Sequence, residues 1–174
     1  MADSYASIPQ INAWASAIML REPDLVIGDD YLRRWWVTPR SPFANNYLHL
    51  IRKSDDDRAF HDHPWPNSSL LIRGRYIEHT PEGRFLRSAG DFVERPATAL
   101  HRLEILPGEV AVTLFFTGPK MRDWGFACPQ GWVRWQDFCH PDDSSKTGRG
   151  CGEHITPLLE RPIASLALAQ DEPS

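Results

Sequence analysis

A chain of 174 residues suits one domain, and with 41% hydrophobic residues it can bury a real core. The formal net charge of −4 provides no basic footprint for nucleic acid; Arg33-Arg34 is a pair, not a patch, and reads as a solvated strand edge. No run of about 20 apolar residues offers a membrane span, and Met1-Ala-Asp-Ser-Tyr5 lacks the basic start and apolar core of a secretion signal. Three cysteines, an odd count, argue against a disulfide framework. The expectation is a soluble, cytoplasmic protein with reduced thiols and a small-molecule partner.

In chain order, Pro9 to Arg21 predicts a helix. Ile11, Trp14, Ala15 and Ile18 recur at helical spacing, Ser7 can cap the start, and Pro23 marks the stop. From Leu25 the texture changes to short apolar runs: Leu25–Ile27, Leu32–Val37, Tyr47–Arg52, Phe60–His63, Ser69–Ile72, Tyr76–Glu78, Arg84–Leu86, Asp91–Val93, His101–Leu106, Val110–Thr117 and Trp124–Cys128. Turn residues separate them, among them Gly74, Gly90, Pro107-Gly108 and Gly118-Pro119. Short strands punctuated this often predict an all-β sandwich or barrel. Residues 1–24 are expected to form a helical segment packed on it, 25–138 the barrel, and 139–174 a C-terminal loop and irregular tail. Within that tail, Pro162 to Gln170 reads as a short helix.

The histidines carry the chemistry. In a strand, residues i and i+2 project from one face, so His61-Asp-His63 can present two imidazoles to one ion while Asp62 points away. His101 shares strand parity with Leu103 and Ile105, which turns it inward with Arg102 and Glu104 on the other face. Three imidazoles are a ligand set for iron, zinc, nickel, copper or manganese.

These residues resemble the two cupin motifs. The first is written G-x5-H-x-H-x3,4-E-x6-G; here His61-x-His63 is followed by Asn67 and then Gly74. The second is written G-x5-P-x-G-x2-H-x3-N; here Gly90, Pro96 and His101 keep the outer spacing. The match covers residues 55–105. Asp55 stands where the first glycine belongs, Asn67 or Ser68 where the ligand glutamate belongs, and Thr98 replaces the inner glycine. The resemblance implies a double-stranded β-helix, the cupin jelly-roll barrel, with one divalent metal on His61, His63 and His101, and a homodimer through sheet edges. A three-histidine site without carboxylate is similar to that of the thiol dioxygenases, although their tyrosine–cysteine crosslink partner has no match, since position 68 is serine. Fe(II) is then the favoured ion, with zinc or nickel as alternatives.

Other residues have two readings each. His49 is either a fourth ligand or a structural residue on a polar face while Leu48 and Leu50 pack inward; the structural reading is preferred. Arg52, on the parity of Leu50, either anchors a substrate acid group or merely ends its strand. Asn67, Ser69 and Glu104 are candidates for orienting the ligand rings. Trp65 and Trp124 are candidates for a pocket mouth, beside the core role that aromatics usually take. Cys128, Cys139-His140 and Cys151-x2-His154 contain enough ligands for a second, structural zinc, against a default of free thiols. Three functions remain open: a non-haem iron dioxygenase acting on a thiol or carboxylate; a metal-dependent isomerase or lyase of a sugar or keto acid; and a non-catalytic metal- or ligand-binding cupin.

Overall fold

The computed structural model describes residues 6–56 and 58–152. The helix expected over Pro162 to Gln170 lies outside them. Helix α1 (Ile8–Ile18) is capped at Ser7, whose N–H and hydroxyl both donate to the Gln10 side-chain oxygen, at 2.8 and 3.0 Å. It stops three residues before the predicted end, because Leu20 and Arg21 fold back in a tighter turn onto the carbonyls of Ala17 and Ile18.

Strands follow in chain order. They are β1 (Leu25–Ile27), β2 (Leu32–Trp36), β3 (Asn45–Ile51), β4 (Phe60–His61), β5 (Asn67–Arg73), β6 (Arg75–Thr80) and β7 (Gly83–Ser88). Next come β8 (Phe92–Arg95), β9 (Arg102–Glu104), β10 (Ala111–Thr117), β11 (Gly125–Cys128) and β12 (Gly131–Arg134). A single helical turn, α2 (Trp135–Phe138), leads to the hairpin β13 (Cys139–His140) and β14 (Asp143–Thr147). The main sheet has the order β1-β2-β3-β10-β5-β8, antiparallel throughout. Smaller sheets run β7-β6-β9 and β12-β11-β4. The fold is thus mostly β, as the run of short strands predicts.

The central strands of the main sheet, β3, β10 and β5, are buried on both faces, and their alternation sorts the residues. On β3, Leu48 and Leu50 face α1, in a cluster with Ala15, Trp35, Ile72 and Val112. His49 and Ile51 point the other way, into a cavity. A second cluster, Leu32, Ile51, Leu71, Tyr76 and Ala111, packs Leu103 and Ile105 against it. The preferred expectation for His49 is therefore reversed: the leucines do pack, but under the helix, and the histidine takes the interior face.

Two further expectations are corrected. The polar stretch from His140 to Gly150, expected to be loop, contains the β13–β14 hairpin, whose backbone pairing needs no apolar alternation. Cys128 and Cys151 form a disulfide, with Cα atoms 5.4 Å apart, leaving Cys139 free and buried. An odd cysteine count therefore conceals one pair and one spare, since the folding back of the chain past β14 is not legible in spacing. Among the described residues no helix is long and apolar enough to cross a membrane.

Gly74 makes the turn between β5 and β6 at φ +82°, and a Cβ there would lie 1.9 Å from the Val110 carbonyl oxygen. Both the positive φ and the close backbone demand glycine. Gly74→Ala is expected to destabilise the protein by about 2 kcal/mol or more in urea unfolding; an unchanged midpoint would contradict this account of the turn.

Candidate metal centre

The ligand strand segments are locked to each other by backbone. His61 N–H donates to the His101 carbonyl at 2.9 Å and His101 N–H returns the bond at 3.0 Å, while His63 N–H donates to Ala97 at 3.0 Å. β4 is only two residues long, shorter than the strand predicted over Phe60–His63, yet His61 and His63 still project to one side. One nitrogen from each of His61, His63 and His101 lies within 4.8 Å of the others. His63 Nε2 and His101 Nε2 are 2.9 Å apart. Two imidazole nitrogens about 2.1 Å from one ion at a right angle would be about 3.0 Å apart, so the pair has the spacing of adjacent metal ligands.

Protonation also favours a metal. Burial pushes the His61 pKa down to about 4, against a smaller opposing pull from Asp55. Burial, with His61 and His101 as neighbours, holds His63 well below its ordinary value. Both rings are neutral at pH 7, so each has one unprotonated nitrogen to offer an ion.

Behind His101 stands a carboxylate that sequence reasoning missed. Glu78 Oε1 is 3.0 Å from His101 Nδ1, which places the proton on Nδ1 and leaves Nε2 to face the other ligands. Glu78 is 1% exposed. Burial alone would raise its pKa, but the His101 bond and the Arg95 charge outweigh it and hold the carboxyl at about 2. Arg95 Nε reaches Glu78 Oε1 at 2.8 Å, Arg95 Nη1 reaches Ser69 Oγ at 3.2 Å, and Arg87 binds the other Glu78 oxygen at 2.8 Å. The only signal was parity, since Glu78 alternates with Tyr76, a buried residue of the same face. Asp55 takes a similar place near His61, its Oδ2 3.9 Å from His61 Nδ1. It also accepts the Tyr31 hydroxyl and the Leu103 N–H.

Asp62, between two ligands, points away as expected, but it is a hub. Its Oδ1 accepts the Gly125 N–H at 2.8 Å, and its Oδ2 accepts Trp132 Nε1 at 2.9 Å and the Arg122 guanidinium. Those bonds fasten the ligand segment to β11 and β12.

The cluster opens into a cavity of about 860 Å³ between the sheets. Trp65 stacks on His63 with ring centroids 5.0 Å apart, and Trp124 meets His61 edge-on at 6.4 Å. Both line the cavity, with Phe115 and Phe126. His49 lines it too, but outside the trio. Its Nε2 accepts Arg34 Nε at 2.9 Å, and burial together with Arg34 keeps the ring neutral.

The remaining candidates fall elsewhere. Arg52 follows the end of β3 and pairs with Asp30 on the exterior, so it anchors nothing in the cavity. Glu104 is on the outer face with His79 Nε2, 2.6 Å away. Asn67 lines a separate recess with Pro66 and Thr117, and Ser69 instead is the β5 residue beside the ligands. Arg34, read as a solvated strand edge, lines the cavity, because β2 parity turns it inward while Arg33 pairs with Asp30 outside. The second zinc site loses two of its thiolates to the Cys128–Cys151 bond, and burial raises the Cys139 thiol to about 11. Among the described residues, the three histidines are the group able to hold a metal.

No protein-family model matches the sequence, and no curated protein resembles it in sequence. Solved structures do resemble it in fold. The DMSP lyase DddQ from Ruegeria pomeroyi DSS-3 superposes with a TM-score of 0.53 at 15% identity, covering 74% of this chain and 72% of that one. Looser likenesses are to the polyketide cyclase RemF from Streptomyces resistomycificus (TM-score 0.48, 14% identity, 60% and 73% covered) and to a cupin superfamily protein from Desulfitobacterium hafniense DCB-2 (0.45, 15%, 61% and 87%). The fold comparison rests on the first of the three. The chain has a mostly β-sheet, cupin-like fold with a largely buried three-histidine cluster able to coordinate a metal ion.

Two outcomes follow from this geometry. Glu78→Gln is expected to weaken zinc binding roughly 10–100-fold in competition with a chromogenic chelator, because the His101 ring loses its ionic orienting partner; unchanged affinity would remove Glu78 from the site. For the metal-free protein, the depressed His61 pKa means that the unfolded chain takes up a proton below pH 6.5 before the folded one does. Stability should therefore be full above pH 6.5 and fall by roughly 3 kcal/mol towards pH 4. Unfolding curves at stepped pH, with His61→Gln flattening that slope, would check it.

Proposed function

We propose that this protein is a metal-dependent cupin enzyme that eliminates or isomerises a small oxygen-bearing substrate, such as a sugar or keto acid. The observation that carries the reading is that the histidine cluster and a phenol–carboxylate couple, Tyr31 with Asp55, open on the same cavity. Polarising an oxygen and moving a proton are the two requirements of such reactions. The fold match to a lyase agrees with it. In this reading the sheets are the two walls of a jelly roll spanning 25–138, with 1–24 outside it and 139–174 appended.

His61, His63 and His101 would hold the ion. A bound divalent ion supplies Lewis-acid polarisation of a substrate carbonyl or hydroxyl. Iron, zinc and nickel all accept three imidazoles. Burial, then the Asp55 charge, raises the Tyr31 pKa far above its ordinary value, so a free phenolate does not form. Tyr31 acts instead as a relay: Oη takes a proton from the substrate as its own proton passes to Asp55, and the relay run backwards delivers that proton to a different atom, the neighbouring carbon in an isomerisation or the departing oxygen group in an elimination. Trp65, Trp124, Phe115 and Phe126 keep bulk water from the reacting atoms.

The test is turnover under strict anaerobiosis. A panel of sugars and keto acids is offered to protein loaded with zinc, nickel or iron, beside His61→Ala and Tyr31→Phe. Product is expected without oxygen, is lost on chelation or in His61→Ala, and falls about 100-fold in Tyr31→Phe while metal content stays whole. Oxygen consumed in step with substrate would return the site to the iron dioxygenase reading. A metal-loaded protein without turnover would favour a binding cupin.

A further inference from the structure

Five cationic side chains line the cavity: Arg34, Lys53, Arg58, Arg95 and Lys146. Four of them have a carboxylate partner. Lys53 pairs with Asp29, Arg58 with Asp56, Arg95 with Glu78 and Lys146 with Asp143. Arg34 has none among the described residues. Its Nε donates to the His49 ring, and its guanidinium lies 4.5 Å from the centroid of the Tyr47 ring. Neither neighbour carries the opposite charge, and among the described residues no hydrogen bond engages the two terminal nitrogens.

Arg34 is half-buried, and a guanidinium drawn partly out of water without a counter-ion bears a desolvation cost that neither neighbour offsets with charge. Arg34 is also within reach of the site. It adds positive potential at His63, and the rings of His49, Phe115 and His63 run from it towards the ligands with centroid spacings of 5.1 and 6.2 Å. His49, accepting at Nε2, carries its proton on Nδ1 as a second donor. The guanidinium fork is the group that matches a carboxylate.

We infer that Arg34, supported by His49, is the receptor for an anionic group of the substrate, so that the substrate is a small carboxylate held with that group away from the metal ligands. This rests on the proposed function in taking the cavity as the reaction chamber, but anion binding by Arg34 does not require the metal. Tyr47 and His49 hold the guanidinium in place; the aromatic walls receive the uncharged part.

The experiment is calorimetric titration at pH 7 with two isosteric pairs, acetate against acetamide and benzoate against benzamide. It uses full-length zinc-loaded protein, Arg34→Gln, Arg34→Lys, and the metal-free His61→Ala/His63→Ala double variant. The carboxylate of at least one pair is expected to bind the wild type at least tenfold more tightly than its amide. That preference should drop to within twofold in Arg34→Gln, return in part in Arg34→Lys, and persist in the double variant. Arg34→Gln should also melt no lower than the wild type, because it removes an uncompensated charge. Equal binding of both carboxylates and their amides by wild type, or a preference that survives Arg34→Gln, would overturn the assignment. A clear loss of thermal stability in Arg34→Gln would make the arginine a structural element instead. If the double variant keeps the preference while the anaerobic assays find no turnover, the anion receptor stands and the catalytic reading fails.

Discussion

The site depends on holding three imidazoles together at the wall of a cavity, two of them kept uncharged by burial. Burial keeps His61 and His63 from taking a second proton, which leaves each ring one unprotonated nitrogen to offer a metal. Glu78 then decides how the third ring is presented. Its buried charge is tolerable only because two arginines and His101 surround it. The position usually given to a ligand carboxylate in the resembling motif lacks one here. The nearby carboxylate acts through His101 and is matched by Arg95, so the trio keeps neutral ligands and a bound ion would keep its full charge.

The sheet architecture makes this arrangement possible with little local sequence. The reciprocal backbone bonds between His61 and His101 fix the spacing of residues forty positions apart. The side chains follow from parity. β3 shows the same economy: its leucines build the layer under α1 while His49 and Ile51 furnish the chamber, each residue of the strand serving one face or the other.

Much of this was legible in the sequence and some was not, for identifiable reasons. The three histidines were legible because i, i+2 spacing and the inward parity of Leu103 and Ile105 are local properties. Trp65 was legible by adjacency. Facing became ambiguous wherever a strand is covered on both sides: Leu48 and Leu50 gave a true apolar signal, but it pointed to the helix and not to the cavity, so His49 and Arg34 were given the wrong face, while Arg52 kept the second of its two readings, the end of a strand. Glu78 and Asp55 were invisible as site residues because their partners come from other strands, 23 positions away in the case of Glu78 and His101. The Cys128–Cys151 pair was hidden for that reason as well, since contact across a returning chain leaves no mark on spacing.

Asp62 has a place in the molecule out of proportion to its size. It sits on the outer side of a three-residue segment whose inner side holds two imidazoles, and its carboxylate grips Gly125, Arg122 and Trp132. Trp132 and Arg122 are partly open to solvent. The segment is therefore like a lever with one end at the protein surface and the other at the ligands. Besides the backbone bonds of His61 and His63, that one carboxylate ties the ligand segment to groups at the protein surface.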